Sequence, residues 1–472
     1  MSDAIAIPPI IQGGMGVGIS NWRLARAVSL RGQLGVVTGT GIDTLFVRRL
    51  QDGDPGGDIR RALQAFPIPA AASDALRLFF RAEGRPSGTP YKTLPKYKKT
   101  VTRARERITM LAAFVEVHLA KEGHAAPVGM NLLTKIQLPS LAALYGAMLA
   151  GVDAILMGAG VPREIPGALD RLAAHEPASL RFDVEGLRPE AAELLRLDPR
   201  VHWDGPPPEV RRPRFLPIVA SNSLATVLVR KASGRIDGIV IEGPTGGGHN
   251  APARGEPRSN ERGEPIYGER DDVDLRRIGD LGLPYWVAGG TGHPERVRSL
   301  RETGAAGVQV GTLFAYCDES GMDERLKRSV LEHAARGEVD VVTDRRASPT
   351  GYPFKLVRWS ADPAAGVKRE RVCDIAGLRV AYARPDGTIG YRCPAEPVDS
   401  YVSKGGRRED TEGRMCLCNG LMATAGVAQV RADGSVEPPI VTSGDDLKSI
   451  TGFLAGRSRY TASDVIDYLL PA

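Results

Sequence analysis

The sequence lacks a long apolar run, and this absence argues against a membrane protein. Nowhere do its 472 residues approach the ~18 consecutive apolar residues that a spanning helix requires. The N-terminal segment also lacks the basic stretch and the apolar stretch of a secretory signal peptide. We therefore predict a cytoplasmic protein with no membrane partner.

Cysteine is scarce, and no part of the chain concentrates charge of one sign. Five cysteines, an odd number, argue against a disulfide framework and favour reduced thiols or a metal site. The 62 basic residues are interleaved with 56 acidic ones, which leaves a formal net charge of +6. This spread predicts no nucleic-acid partner, because such a partner requires a clustered basic surface.

Short apolar runs that end in small or polar residues are frequent. Most of them are followed by a segment of helical periodicity, such as 22–30 or 324–335. Continuous apolar runs are typical of buried parallel strands, so the alternation predicts βα units. The eight candidate strands are Pro9–Gly14, Leu34–Thr40, Val128–Leu133, Ala154–Gly160, Leu216–Asn222, Gly238–Gly243, Tyr285–Gly290 and Gly307–Thr312.

About eight such units predict an α/β fold, a closed (β/α)8 TIM barrel with its active site at the carboxyl ends of the strands. A Rossmann-like open sheet is the alternative. It is weakened because no Gly-x-Gly-x-x-Gly motif follows the first strand.

Three stretches interrupt the alternation, and a fourth ends it. Residues 50–125 predict a helical insertion after the second strand, and residues 178–213 predict a second connection or lid. The polar residues 251–271 form a candidate mobile loop beside the active site. We assign residues 1–336 to the barrel and residues 337–472 to a smaller, cysteine-containing appended region.

Glycines end the seventh and eighth candidate strands, the two strands after which a TIM barrel usually binds phosphate. Ala288, Gly289 and Gly290 follow the seventh strand, and Gly311 and Thr312 follow the eighth. Glycines let backbone N–H groups approach an anion closely, and loops after strands seven and eight are the usual phosphate site of a TIM barrel. We therefore predict a phosphate-bearing ligand, with FMN as the leading candidate.

The ends of the first and third strands carry groups that suit the ring system of a flavin. Gln12, Gly13, Gly14 and Met15 close the first strand, and Asn131 lies in the third. A flat, polar isoalloxazine needs amide or backbone hydrogen bonds along one edge and an apolar surface against its rings. These five residues are predicted to bind the cofactor.

The segment 239–250 is an apolar run that breaks into glycines and presents one imidazole. Gly247 and Gly248 precede His249 at the end of the sixth candidate strand. An unperturbed imidazole titrates near 6.5, so His249 is the candidate catalytic residue, either as a base or as a hydrogen-bonding group. We interpret Glu242 as a barrel residue paired with an arginine rather than as a site carboxylate.

Taken together, these motifs resemble the nitronate monooxygenase family, formerly called 2-nitropropane dioxygenases. The resemblance covers roughly residues 5–335. It lies in Pro9–Gly16, Asn131-Leu132, Gly246–His249, Ala288–Gly290, Gly307–Phe314 and Glu319-Ser320.

The resemblance implies an FMN-binding TIM barrel in which His249 faces the substrate. The substrate would be an alkyl nitronate or nitroalkane, which dioxygen oxidises to a carbonyl compound and nitrite. The flanks of the histidine, Pro244-Thr245 and Asn250–Pro252, depart from the family pattern and leave the substrate open.

Two other functions remain as alternatives, and one of them is also enzymatic. Enoyl-thioester reductases, which use FMN and NAD(P)H, share the barrel and a similar Gly-Gly-His element. The other alternative is a non-catalytic ligand-binding or assembly barrel. A homodimer is possible in each case.

Four of the five cysteines lie in the C-terminal region, with the spacing C-x19-C-x22-C-x-C. They are Cys373, Cys393, Cys416 and Cys418. Four thiolates can enclose zinc or hold an iron–sulfur cluster, although the final C-x-C is tighter than the gap of ordinary zinc ribbons. Buried thiols that bind no metal are the alternative.

Overall fold

A computed structural model describes residues 7–188 and 191–471. The strands are β1 (Ile10–Gln12), β2 (Gly35–Thr38), β3 (Val128–Leu133), β4 (Ala154–Gly158), β5 (Ala178–Phe182), β6 (Val184–Glu185), β7 (Glu193–Leu197), β8 (Arg214–Val219), β9 (Ile239–Glu242), β10 (Tyr285–Ala288), β11 (Gly307–Val310), β12 (Val339–Asp344), β13 (Phe354–Trp359), β14 (Val380–Ala383) and β15 (Ile389–Arg392).

The helices alternate with the strands over the first two thirds of the chain. They are α1 (Trp22–Leu30), α2 (Ile42–Gln51), α3 (Asp58–Gln64), α4 (Pro69–Phe79), α5 (Arg103–Lys121), α6 (Ser140–Leu149), α7 (Ile165–Ala173), α8 (Asn222–Lys231), α9 (Leu275–Gly279), α10 (Pro294–Glu302), α11 (Thr312–Ala315), α12 (Glu324–Ala335), α13 (Val398–Ser403), α14 (Leu417–Thr424), α15 (Ile450–Leu454) and α16 (Ala462–Leu469). Within the described ranges, no helix is long and apolar enough to cross a membrane.

Eight parallel strands form the central barrel, in the order β1-β11-β10-β9-β8-β4-β3-β2. A parallel bridge between Ile11 and Leu34 joins the first strand to the start of the second and closes the ring. The backbone N–H of Gln12 donates to the carbonyl of Leu34 at 3.0 Å across this seam. The predicted TIM barrel is confirmed, and each of its strands lies within or overlaps one of the eight predicted runs.

Side chains fill the barrel interior, so the barrel is a packed core and not a channel. Alternate strand positions such as Ile11, Leu156, Leu216 and Val240 form this inner cluster with Trp286, and all of them are buried. The opposite faces of the same strands pack against the surrounding helices in a second, larger cluster. Burial on both faces explains why these strands are continuous apolar runs in the sequence.

The predicted helical insertion, residues 50–125, follows α2 and contains α3, α4 and α5. Most side chains of α5 are buried, and this helix packs against α6. The approach is close at Gly146, where an added Cβ would lie 2.2 Å from the carbonyl oxygen of Met110. The insertion is therefore part of the barrel wall.

The connection between β4 and β8 contains strands. β5 and β7 pair in an antiparallel hairpin, and β6 pairs in parallel with β14 of the C-terminal region. Residues 189 and 190 of the predicted lid lie outside the described residues. Whether this connection acts as a lid remains a prediction.

Residues 337–471 lie against the barrel and share its core. The antiparallel pair β12–β13 meets the barrel at a bridge between Phe354 and His249, and the hydroxyl of Tyr460 donates to the carbonyl of Leu313 at 2.7 Å. Val441 and Val465 belong to the same buried cluster as the barrel helices. The boundary at residue 336 stays a prediction, but residues 337–471 form part of the barrel's carboxyl end.

Candidate functional site

A large cleft lies at the carboxyl ends of the barrel strands and collects nearly all of the predicted site residues. The loops after β1, β3, β9, β10 and β11 form its walls, and residues of the C-terminal region close one side. The predicted residues that line it are Gly13, Gly14, Met15, Asn131, Gly247, Gly248, His249, Ala288, Gly289, Gly290, Gly311 and Thr312.

Gln12 is the exception among the predicted cofactor-binding residues. It is fully buried, and its side chain accepts a 2.9 Å hydrogen bond from the backbone N–H of Val36. The same amide donates to Ser20 Oγ and to the carbonyl of Gly13. All these hydrogen bonds go to the protein, so Gln12 holds the first loop in place. Its direct contact with a cofactor stays a prediction.

Asn131 joins the first loop to the third strand and leaves one polar atom free for a ligand. Its Nδ2 donates to the carbonyl of Gly14 at 2.9 Å, and its Oδ1 is buried with no partner in the described structure. A Cβ at Gly14 would lie only 2.2 Å from Asn131 Cγ. Glycine at position 14 therefore allows the amide of Asn131 to reach the cleft.

The loops after β9, β10 and β11 meet at one end of the cleft, where we predict the phosphate. Gly289 and Gly290 have φ values of 88° and 65°, in the left-handed region that favours glycine. A Cβ at Gly289 would lie 2.9 Å from the backbone nitrogen of Gly246. These glycines allow two backbone loops to approach each other closely.

The segment 443–446 completes this end of the cleft, which the sequence analysis missed. The backbone N–H of Gly444 donates to Thr312 Oγ1 at 3.1 Å, and the carboxylate of Asp446 accepts from the N–H of Gly292 at 3.0 Å. Burial raises the pKa of Asp446. The run of small residues Thr442-Ser443-Gly444 could have suggested a loop that lines a site. No local sequence pattern, however, links this run to the loop at Gly292.

His249 lies in the wall of the cleft between the barrel and the C-terminal region. Its Nε2 lies 2.7 Å from Ser348 Oγ, and its ring packs edge-on against Phe354 with centroids 4.9 Å apart. Burial lowers the pKa of His249 to about 4, and the positive charge of Lys135 acts in the same direction. The imidazole is therefore neutral at pH 7, because burial penalises its charged form. This favours the hydrogen-bonding role over the role as a base.

Glu242 is a cleft carboxyl group that the sequence analysis assigned to a barrel ion pair. Among the described residues it has no arginine partner, and burial raises its pKa to about 7. Glu242 and His249 both line the main cleft. Both also line an adjoining cavity, which the loop 251–271 borders. Glu242 and His249 therefore share both cavities, and the predicted arginine pair was wrong.

The residues of the cleft fit an FMN group. Two buried polar atoms that line it have no hydrogen-bond partner in the described structure: Asn131 Oδ1 and Gln309 Oε1. Unsatisfied buried polar atoms are costly, so their presence along one cleft indicates a polar ligand. Glycine-lined loops at one end and the apolar side chain of Met15 along the wall suit a phosphate and a flat ring system.

The five cysteines are free thiols. Cys317 is buried and lies away from the other four, which line a second, small pocket. In the part of the chain that the structure describes, no group of three or more His, Cys, Asp or Glu side chains is arranged to hold a metal ion. The expectation of a zinc ion or an iron–sulfur cluster in the C-terminal region is therefore not supported.

Fold and cleft together define a (β/α)8 barrel with a cleft at the carboxyl ends of its strands. A family model described as nitronate monooxygenase matches residues 210–349, the segment with β8 to β11, His249 and Ser348. Over this segment, the resemblance to the nitronate monooxygenase family is confirmed.

Two curated proteins described as nitronate monooxygenases are similar in sequence to part of this chain. The chain is 31% identical over 127 residues to a nitronate monooxygenase of Pseudomonas aeruginosa, which covers 27% of this chain and 34% of that protein. It is 29% identical over 109 residues to a probable nitronate monooxygenase of Staphylococcus haemolyticus, which covers 23% and 29%. The match thus spans about a third of the length of these relatives.

Solved structures resemble the chain over nearly its whole length at low identity. FabK from Thermotoga maritima is 16% identical, with a TM-score of 0.46 and coverage of 99% of this chain and 93% of that one. A nitroalkane oxidase from Streptomyces ansochromogenes is also 16% identical, with a TM-score of 0.45 and coverage of 98% and 94%. The fold assignment rests on the strand order described above.

Proposed function

We propose that the protein is an FMN-dependent oxidoreductase that oxidises alkyl nitronates with dioxygen to a carbonyl compound and nitrite. The main support is one observation: His249 lies in the same cleft as the unpaired amide oxygen of Asn131 and the glycine loops after β10 and β11. His249 also belongs to the segment that the family model matches. A polar cofactor and a small substrate can therefore meet at the imidazole.

Particular groups of this cleft would hold FMN. Gly289, Gly290, Gly311 and Thr312 would hold the phosphate, because they border the glycine-lined end of the cleft. When bound, FMN accepts electrons from the nitronate and passes them to dioxygen.

His249 supports the reaction as a neutral hydrogen-bonding group. A residue with a pKa of about 4 is a weak base at pH 7 and removes a carbon-bound proton poorly. A nitronate has already lost that proton, so it needs no base. Its oxygens can accept a hydrogen bond from the imidazole, which Ser348 and Phe354 hold in place.

The charges around His249 favour an anionic substrate. Lys135 acts electrostatically on the imidazole, and a cation near the cleft stabilises a bound nitronate. Glu242, with a pKa of about 7, is protonated in a substantial fraction of molecules at neutral pH. An incoming anion raises that pKa further, so the carboxylic acid becomes a hydrogen-bond donor and not a repelling charge.

Aerobic turnover with two forms of one substrate tests this proposal. Preformed propane nitronate should consume dioxygen and release nitrite, whereas freshly dissolved 2-nitropropane should react at least ~100-fold more slowly because His249, with a pKa of about 4, is a weak base at pH 7. Equal rates with the neutral nitroalkane would contradict the assigned role of His249. Absence of nitrite from both substrates would contradict the proposed function.

A further inference from the structure

The cavity that adjoins the main cleft, which we name the side cavity, has a volume of about 180 Å³. Ala159, Ile218, Glu242 and His249 line both the side cavity and the main cleft, so the two spaces meet at the imidazole. The volume far exceeds the ~10–15 Å³ that a cavity needs to hold one water molecule. The side cavity can therefore hold part of a ligand whose reacting group lies at His249.

Asn250 places an unpaired hydrogen-bond acceptor in the wall of the side cavity. The residue lines this cavity and is only 2% exposed. Its backbone N–H donates to the carbonyl of Pro353, and its Nδ2 donates to the carbonyl of Gly246, each at 2.9 Å. Its Oδ1 is buried with no partner in the described structure. Asn250 is thus held in place by two hydrogen bonds while its amide oxygen is left unsatisfied.

The hydrogen bond to Gly246 also sets the orientation of the Asn250 amide. A rotation that exchanged Nδ2 and Oδ1 would bring an amide oxygen against the carbonyl oxygen of Gly246, where neither atom has a proton to donate. Oδ1 is therefore the unpaired atom, and an amide oxygen only accepts hydrogen bonds. Because an unsatisfied buried acceptor is costly, this position selects a ligand group that donates a hydrogen bond.

The charged groups of the side cavity favour a neutral donor. Arg254 and Asp271 line it with opposite charges, and the backbone N–H of Arg254 donates to Asp271 Oδ1 at 2.9 Å. The guanidinium of Arg254 donates to the carbonyls of Ala220 and Arg270. Both charged side chains are thus engaged with the backbone of the protein. A carboxylate on the ligand would also lack the proton that Asn250 Oδ1 requires, whereas a hydroxyl group supplies it.

We propose that the side cavity binds a hydroxyl-bearing substituent of the substrate, and that Asn250 Oδ1 accepts the hydrogen bond from this hydroxyl. The nature of the reacting group rests on the proposed function, in which a nitronate lies at His249. Water can satisfy Oδ1 in the free protein, but an apolar substituent displaces this water without replacing its hydrogen bond. Asn250 is therefore a specificity residue. It belongs to the flank of His249 that departs from the nitronate monooxygenase pattern.

Binding of two matched ligands tests the proposal without requiring turnover. 3-Nitropropan-1-ol and 1-nitrobutane differ only by a hydroxyl in place of a methyl group at the far end of the chain. Anaerobic calorimetric titration of the full-length protein, incubated with FMN, should give a Kd about tenfold lower, or lower still, for the alcohol, because only the alcohol donates to Asn250 Oδ1. Equal Kd values, tighter binding of 1-nitrobutane, or no measurable binding of the alcohol would overturn the proposal.

Nitrite release from the two corresponding nitronates separates this proposal from the proposed function. If both are correct, kcat/KM should be about tenfold higher for the hydroxylated nitronate. If neither nitronate yields nitrite but the alcohol still binds more tightly, the proposed function fails and the hydroxyl site stands. Nitrite release with equal kcat/KM and equal Kd values would overturn the hydroxyl site alone.

Two asparagine variants assign the preference to one residue. Asn250→Leu keeps a similar side-chain volume but removes the acceptor, so the Kd of 1-nitrobutane divided by that of the alcohol should fall to about one or below. Loss of the hydrogen bond to Gly246 affects both ligands alike and cancels in this ratio. Asn260→Leu, at an exposed asparagine of the loop 251–271, is the matched control and should keep the wild-type ratio. Should Asn250→Leu not fold, Asn250→Ala takes its place, and a wild-type ratio in a folded Asn250 variant would overturn the assignment.

Discussion

His249 Nε2 and Ser348 Oγ lie 2.7 Å apart, although 99 residues separate them in the sequence. The histidine follows a barrel strand, and the serine precedes β13 of the C-terminal region. Ser348 also bonds to Thr350 Oγ1 at 2.8 Å, which fixes its hydroxyl. The orientation of the candidate catalytic imidazole therefore depends on a part of the chain outside the barrel.

Replacement of His249 tests its role at the substrate. His249→Ala should keep FMN bound, because the phosphate end of the cleft is formed by other loops. It should lower turnover of a nitronate by ~100-fold or more, because it removes a hydrogen-bond donor to the substrate. Flavin absorbance and nitrite release measure the two effects. His124→Ala, at the amino end of β3, is the matched control and should leave both unchanged. Wild-type turnover in the His249 variant would contradict the role.

Glu242 should make stability depend on pH. Its folded pKa of about 7 lies above the ordinary 4.5, so its contribution to stability is fully present below pH 4.5 and is lost as the pH rises through 7. Glu242→Gln removes this loss. The unfolding free energy of the variant minus that of the wild type should therefore increase by about 1–3 kcal/mol from pH 5 to pH 8. Denaturant unfolding at both pH values measures the difference.

The exposed Glu83 provides the control for this experiment. Glu83→Gln should shift the unfolding free energy by the same amount at both pH values, because its side chain stays in water. If Glu242→Gln also changes the unfolding free energy by the same amount at both pH values, Glu242 is not a buried, unpaired carboxyl group.

A methyl group at position 14 should weaken flavin binding. In Gly14→Ala the new Cβ would meet Asn131 Cγ at 2.2 Å, so the amide that faces the cleft must move. We expect at least a tenfold increase in the Kd for FMN, measured by fluorescence quenching. Gly205→Ala, where the new Cβ meets no atom within 4 Å, should bind FMN as wild type does. Equal affinities for the two variants would refute the placement of Asn131.

The barrel should not fold without the C-terminal region. A chain that ends after residue 336 loses Val441, Leu447 and Val465 from the common buried cluster and the segment 443–446 from the cleft. We expect an aggregated product that binds no FMN, as judged by size-exclusion chromatography and absorbance. A monodisperse, yellow product would instead establish residues 1–336 as an independent domain.

The barrel could be predicted from the sequence because its signals are local. Each buried parallel strand is a continuous apolar run, and each ends in small residues where a loop lines the cleft. Gly248, Gly289 and Gly290 adopt positive φ values, which favour glycine, so glycine at these positions is itself a local signal. The predicted starts and ends of the barrel strands differ from the observed ones by at most three residues, and those of β3 agree fully.

Long-range contacts account for what the sequence could not show. The sequence does not show that the amide of Gln12 is bonded to Val36, Gly13 and Ser20. The low pKa of His249 depends on burial under Phe354 and Ser348, which lie about 100 residues later. The contribution of segment 443–446 depends in the same way on the docking of the C-terminal region.

Anaerobic reduction of the flavin-loaded protein tests the central claim most directly. Titration with propane nitronate alone should bleach the flavin absorbance near 450 nm, and NAD(P)H alone should leave it unchanged on the same timescale. Bleaching by NAD(P)H but not by the nitronate would contradict the account and favour an enoyl-thioester reductase. A protein that takes up no FMN would contradict it as well, and would favour a non-catalytic barrel.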